Sequence, residues 1–229
     1  RDTDRSRGLG DVYKRQFILT VDEILSKIEN LTLREMPGGT LFPDTMKQYD
    51  DYTIREALHN CIAHQDYTMQ QRVNFVENPS YLYYSNAGTF IPGTLENALR
   101  NEESQTYFRN ECLCKAMVDF NMIDTVSRGI KKMFNEQWRR HFPMPDYEID
   151  AAKKKVVVRI YGNEINKRYT DLLKTDNTLS LWDCISLDAV QKGRFIHEDV
   201  AKDFVKYFRS TEPFKEADTY FNYHTVETV

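Results

Sequence analysis

The sequence predicts an α+β protein: a two-layer domain with helices on one face of a mostly antiparallel sheet, followed by a small helical module. Three observations carry this. The stretch Tyr52 to Tyr67 has a helical apolar repeat. Two segments, Gln71–Tyr84 and Pro143–Tyr161, read as β-hairpins built around turn residues. Beyond Gly162-Asn163 the pattern changes to short helical repeats alone. The chain of 229 residues has room for one larger and one small domain. Its 41% hydrophobic and 13% aromatic content suits a packed core and argues against disorder. A net charge of −4 is not that of a strongly basic nucleic-acid protein, although a local basic surface stays compatible with it. No run of about 18 apolar residues and no secretory signal is present. Cys61, Cys112, Cys114 and Cys184 form neither a CxxC motif nor a disulfide framework, so reduced thiols and a cytoplasmic, non-membrane protein are expected.

Residues 1–16, RDTDRSRGLGDVYKRQ, have no apolar period and resemble translated sequencing-adapter or vector sequence at the end of a metagenomic reading frame. On that reading they are non-native, the chain starts within a longer protein, and the first domain spans 17–162. Val21, Ile24, Leu25 and Ile28 predict a short amphipathic helix, with Thr20 as N-cap and Glu23 completing a capping box. Pro37-Gly38-Gly39 reads as a turn.

The central helix starts at Asp51 or Thr53. Ile54, Ala57, Leu58, Cys61 and Ile62 form its buried stripe. Glu56, His59, Asn60 and His64 fall on the opposite side, where Glu56 and Asn60 stand one turn apart. A solvated face more often carries Lys/Glu pairs. This one carries a carboxylate, an amide and imidazoles, groups capable of coordination or proton transfer. The same pattern also fits an ordinary polar face. A metal site from His59, Cys61 and His64 is disfavoured, because Cys61 points with the apolar stripe.

Val73 and Phe75 alternate toward one side, Asn78-Pro79-Ser80 turns, and Tyr81 to Tyr84 forms the return strand. Ser85-Asn86-Ala87-Gly88-Thr89-Phe90 then reads as a post-strand turn of small residues that lets backbone approach a ligand. Leu95 to Asn110 is polar and irregular, a loop or short helices. Leu113, Ala116, Met117 and Phe120 predict a helix over Glu111 to Ile123. A break at Asp124 to Gly129 precedes the stripe Ile130, Met133, Phe134 and Trp138, which puts Ser127, Arg128 and Gly129 at a helix N-terminus, where anions are favoured. In the second hairpin the continuous Val156-Val157-Val158 predicts a strand covered on both faces. In the module over 163–229, helices at Glu164–Lys174, Leu179–Gln191 and His197–Phe208 fit a helix-turn-helix or winged-helix arrangement, and equally a helical cap. The tail from Ser210 has no clear period.

Taken together, Glu56-x-x-x-Asn60 with His64-Gln65-Asp66-Tyr67, then Ser85-Asn86-Ala87-Gly88, then Ser127-Arg128-Gly129-Ile130 resemble one family. It is the C-terminal ATPase-like domain of proteins labelled RecG-like ATP-dependent DNA helicases or Schlafen-AlbA-domain transcriptional regulators. That domain is similar to the GHKL fold of gyrase B, MutL and histidine kinases. The resemblance covers roughly Tyr52 to Tyr161 and implies ATP and Mg2+ as ligands. It implies that Glu56 is the general base for an attacking water and that Asn60 ligates Mg2+. Nucleotide contacts would come from Asn60, His64, Asp66, Asn86, Gly88, Ser127, Arg128 and Gly129, with the polar stretch between the two glycine boxes as an ATP lid. A carboxylate that orients water and a hard amide oxygen suit those roles chemically.

The sequence departs from the GHKL pattern at several points. Asn86 replaces an Asp that accepts from adenine, Phe90 stands at a glycine position, and the second box keeps one glycine of three. The chain has no P-loop lysine and no helicase motor motif. The expectation is therefore an ATP-binding-like domain of a DNA-linked transcriptional regulator, with little or no turnover. The alternatives are an active Mg2+-dependent ATPase and a degenerate dimerisation or interaction scaffold. DNA would be met by the C-terminal module or by a region outside this chain, and a homodimer is a further expected partner.

Overall fold

The computed structural model describes residues 21–35, 44–100, 108–123 and 128–193. These belong to two compact units, the first ending at Glu164 and the second beginning at Ile165. The first unit contains α1 (described over residues 21–27), β1 (Thr32–Glu35), β2 (Asp44–Lys47), α2 (Asp51–His64) and a 3-10 turn at Tyr67–Met69. It continues with β3 (Asn74–Glu77), β4 (Tyr81–Ala87), α3 (Leu95–Arg100), α4 (Glu111–Asp119), α5 (Gly129–Arg139), β5 (Asp146–Asp150) and β6 (Lys155–Tyr161). All strand pairs are antiparallel. β1 and β2 form a separate ladder, and the main sheet has the order β3-β4-β6-β5. The protein is therefore of mixed α+β class. Among the described residues no helix is long and apolar enough to cross a membrane.

Asp50 starts α2 as N-cap, its carboxylate accepting from the Thr53 backbone N–H at 2.8 Å and the Thr53 hydroxyl at 3.0 Å. The predicted stripe Ile54, Ala57, Leu58, Cys61 and Ile62 is buried. It meets Leu82, Tyr84, Val156, Val158 and Ile160, which alternation places on one face of the central strands β4 and β6. α5 lies beside α2 and buries Met133 and Phe134.

Several expectations need correction. His59 does not lie on an open polar face: it is 4% exposed, and its Nε2 is buried with no hydrogen-bond partner among the described residues. Thr53 and Ala63 are buried as well, so α2 is covered nearly all round, more than its apolar stripe alone requires. β4 continues through Ser85, Asn86 and Ala87, which pair with Val157, Val156 and Lys155. The turn therefore begins only at Gly88. The neighbouring β6 supplies a full ladder that overrides the low strand propensity of small residues. α4 stops at Asp119, because Asn121 takes a left-handed conformation (φ 54°) that ends the helix. Phe120 is consequently 60% exposed and not part of the stripe. All three valines of β6 are buried, but only Val156 and Val158 join the helix-facing core. Val157 lies on the other face, shared by alternation with Tyr83, Arg159 and Tyr161. The β1–β2 ladder has no counterpart in the sequence reading, since Thr32-Leu33-Arg34-Glu35 is short and half charged.

The second unit contains α6 (Lys167–Thr175) and α7 (Leu181–Gln191). Tyr169, Leu172, Leu173, Leu179, Cys184 and Leu187 are buried. Ser180 and Asp183 form a reciprocal capping box at the start of α7. Thr20, the Pro37–Gly39 turn, the Asp124–Ser127 break, the His197–Phe208 helix and the tail from Ser210 lie outside the described residues.

Candidate functional site

From Glu56 to the end of α2, only Glu56, Asn60 and His64 keep partial exposure. They recur every fourth residue and so form one narrow polar ridge. The rest of the candidate site is arranged along this ridge.

At one end the Asn60 amide donates to Glu56 Oε1 at 3.0 Å, and the Tyr52 hydroxyl donates to Oε2 at 3.4 Å. The carboxylate rests on the first residue of α5. A Cβ on Gly129 would lie 1.6 Å from Glu56 Oε1 and 2.4 Å from Cδ, so any side chain there would displace the carboxylate. A negative charge at this helix start is favoured by the helix dipole. Arg128, the N-cap residue, is exposed and makes no side-chain cap. The Lys132 ammonium sits 3.6 Å from the centre of the Tyr52 ring. Tyr147 stacks on Phe134 and contacts Phe90, with ring centres 6.2 and 5.9 Å apart. Desolvation first, and then the nearby Glu56 carboxylate, hold the Tyr147 phenol well above its ordinary range.

At the other end, side chains take up the last carbonyls of α2, which have no partner within the helix. Ile62 O accepts from the Tyr67 hydroxyl at 3.1 Å, and His64 O from the Asn86 amide at 3.4 Å. The Asn110 amide donates to Ala63 O at 2.9 Å and to Gln65 O at 2.8 Å. Gln65 is buried and accepts from the Ala87 N–H at 2.8 Å, while the Asp66 N–H donates to Ala87 O at 2.7 Å. These bonds tie the helix end to the end of β4. Gly88 follows with φ +126°, a conformation that favours glycine. A Cβ there would meet His64 O at 3.1 Å and the Arg109 guanidinium at 3.2 Å. Arg109 donates to Thr89 O and Oγ1 and stands 3.6 Å from the Asp66 carboxylate. Burial first, then the Arg109 charge, push the His64 imidazole down to about 4, so it is neutral at pH 7.

The structure thus brings Glu56, Asn60 and Gly129 together, with Arg128 next in chain. It separately joins His64, Asn86 and Gly88, and the ridge links the two groups. The Asp66 carboxylate is engaged by Thr68 and Arg109, the Thr68 hydroxyl doing most to hold its pKa low. Ser127 lies outside the described residues. Tyr52, Tyr147, Arg109 and Asn110 also belong to the site, and sequence reasoning did not select them. An Arg-Asn pair directly before a helix offered a signal, but it reads as an ordinary N-cap. Asn110 does occupy that position, yet it gives no side-chain bond to its own helix and serves α2 instead.

Among the described residues no group of three or more His, Cys, Asp or Glu side chains is placed to hold a metal ion. The donor set that could receive one is smaller. Asn60 commits its NH2 to Glu56, which leaves its amide oxygen as a hard ligand beside the helix start.

No family model and no curated protein matches this chain. Among solved structures, it is similar to the crystal structure of the DIP2311 protein from Corynebacterium diphtheriae, with a TM-score of 0.55 at 17% identity. The match covers 86% of this chain and 42% of the other, so this chain spans less than half of that protein's length. The likeness is one of fold.

Proposed function

We propose that the first unit is a GHKL-related nucleotide-binding domain of a cytoplasmic, DNA-linked transcriptional regulator, taking ATP with Mg2+. The observation that carries this reading is the placement of Glu56 and Asn60, one turn apart on α2, against the side-chain-free Gly129 at the start of α5. The ridge gives the site two ends. Backbone N–H groups at the α5 start suit phosphates, with Asn60 Oδ1 as the Mg2+ ligand. Asn86 lies at the far end and uses its NH2 on His64 O and Ala87 O, which leaves its carbonyl to accept from a base amine. Bound ATP with Mg2+ supplies the phosphoanhydride and the ion that neutralises it. Glu56 is the residue that would orient water, held in place by Asn60 and Tyr52. Its two oxygens are already engaged, which favours binding over turnover. Calorimetric titration of ATP with Mg2+ into the full chain and into Asn60→Ala tests this. Micromolar binding lost in the variant supports it, and no binding to either removes it. ATP hydrolysis abolished by Glu56→Ala would establish the ATPase alternative.

A second reading, an interaction scaffold with a closed site, is favoured by Phe90. At a glycine position of the GHKL pattern it puts a ring against Tyr147. Homodimer formation, measured by sedimentation, together with absent nucleotide binding, would support the scaffold. DNA contact through the module over 163–229 is read from the salt dependence of duplex binding.

A further inference from the structure

The surface of α5 that faces away from the core is locally basic in an acidic chain. Residues 128–140 contain Arg128, Lys131, Lys132, Arg139 and Arg140 against the single acid Glu136, within a chain of net charge −4. At about 100° per residue, Arg128, Lys132, Asn135 and Arg139 fall within one narrow stripe. Arg128, Lys132 and Arg139 are exposed, whereas Met133, Phe134 and Gln137 on the opposite side are buried. Lys132 is braced over the Tyr52 ring, and Arg139 is 3.2 Å from Glu136. An exposed pair of this kind is worth little and is screened by salt, so Arg139 keeps most of its charge for a partner. Arg140 is turned away, its guanidinium over the Phe142 ring, and takes no part.

We propose that this α5 stripe is a docking surface for the phosphate backbone of duplex DNA. Its cations span about 16 Å of helix, from a rise of about 1.5 Å per residue. A duplex strand presents a phosphate about every 3.4 Å of its axis, so the stripe faces several at once. The composition of the surface selects this occupant. Among the described residues, the exposed large hydrophobic side chains are Leu31, Tyr67, Val76, Phe120, Ile165 and Trp182, and none lies on α5 or α2. The apolar face that an interfacial helix presents to a membrane is missing here, and a duplex backbone, held by charge, requires none. The stripe adjoins the ridge at Arg128 and at Lys132, which sits over Tyr52, and runs on to Arg139; it belongs to the first unit and not to the module over 163–229. The DNA-linked reading bears only on the choice of polyanion.

The test is duplex binding by the full chain across a salt series, for the native protein and for Lys132→Gln with Arg139→Gln. Arg128 is left intact because it borders the candidate nucleotide site. Native protein should bind at low salt, and the double variant should bind at least about tenfold more weakly. Its salt slope should be shallower by about two, one for each phosphate contact removed. An unchanged thermal midpoint would show that the variant is folded. Binding with unchanged slope in the variant would overturn the α5 proposal and leave the module as the DNA contact. No duplex binding by the native chain would overturn both, with the nucleotide titration unaffected. Binding of the native chain to anionic vesicles and not to duplex would overturn it in favour of a membrane surface.

Discussion

Glu56 and Gly129 form the tightest constraint in the candidate site, and it can be tested residue by residue. A methyl group at Gly129 has no room while the Glu56 carboxylate lies over it. Gly129→Ala should therefore push the Glu56 carboxylate aside and break its bonds to Asn60 and Tyr52, at a cost of about 1 kcal/mol or less. Most of that loss should disappear in a Glu56→Ala background, as a double-mutant cycle of urea midpoints would show. Equal losses in both backgrounds would mean that the two residues do not meet. His64 makes a second prediction. Its folded pKa, about 4, lies below the ordinary imidazole value of 6.5, so the unfolded chain binds the proton more readily. Its contribution is fully present above pH 6.5 and is lost as pH falls from about 6.5 to about 4. The slope is at most about 1.4 kcal/mol per pH unit. His64→Asn should flatten the pH dependence of the urea midpoint in that window, and an unchanged slope would place the titration elsewhere.

Among the elements, α2 was the most legible in the sequence, and the reason is physical. Its apolar repeat must face the sheet, so Ile54, Ala57, Leu58, Cys61 and Ile62 announced themselves. The burial of His59 was not legible, because it depends on segments distant in the chain that pack over α2, which local periodicity cannot see. The same holds for the end of the helix. Its His64-Gln65-Asp66 segment reads locally as a motif, yet much of its bonding serves to join α2 to β4 and to Asn110. Asn110→Ala should leave Ala63 O and Gln65 O without their donor and cost about 1–3 kcal/mol. Hydrogen exchange should rise first at the C-terminal turn of α2, while global unfolding from the start would contradict a local latch. In the second unit, Ser180→Ala removes the capping box and should cost about 1 kcal/mol, seen as fraying of α7.

For the whole molecule, both hairpins were visible from turn residues and alternation, but their assembly into one sheet through β4 and β6 was not. That pairing joins strands about 75 residues apart and has no local signature. It is also what extends β4 through Asn86, so half of the candidate site became clear only at this scale. Burial makes a further molecular prediction. Cys112 is exposed while Cys61, Cys114 and Cys184 are buried, and desolvation pushes the Cys61 and Cys184 thiols up to about 12. A native thiol titration should show one fast-reacting cysteine and three that react on unfolding. Two or more fast thiols would contradict the packing of α2 against the sheet or of α6 against α7.

The central claim is that the α2 ridge, from the start of α5 to the end of β4, receives one nucleotide. Amide hydrogen exchange of the full chain with and without ATP and Mg2+ tests it most directly. The account predicts protection at residues 56–64, 86–88 and 128–133 together, diminished in Asn60→Ala. Unchanged exchange at all three segments, or protection confined to other parts of the chain, would contradict it.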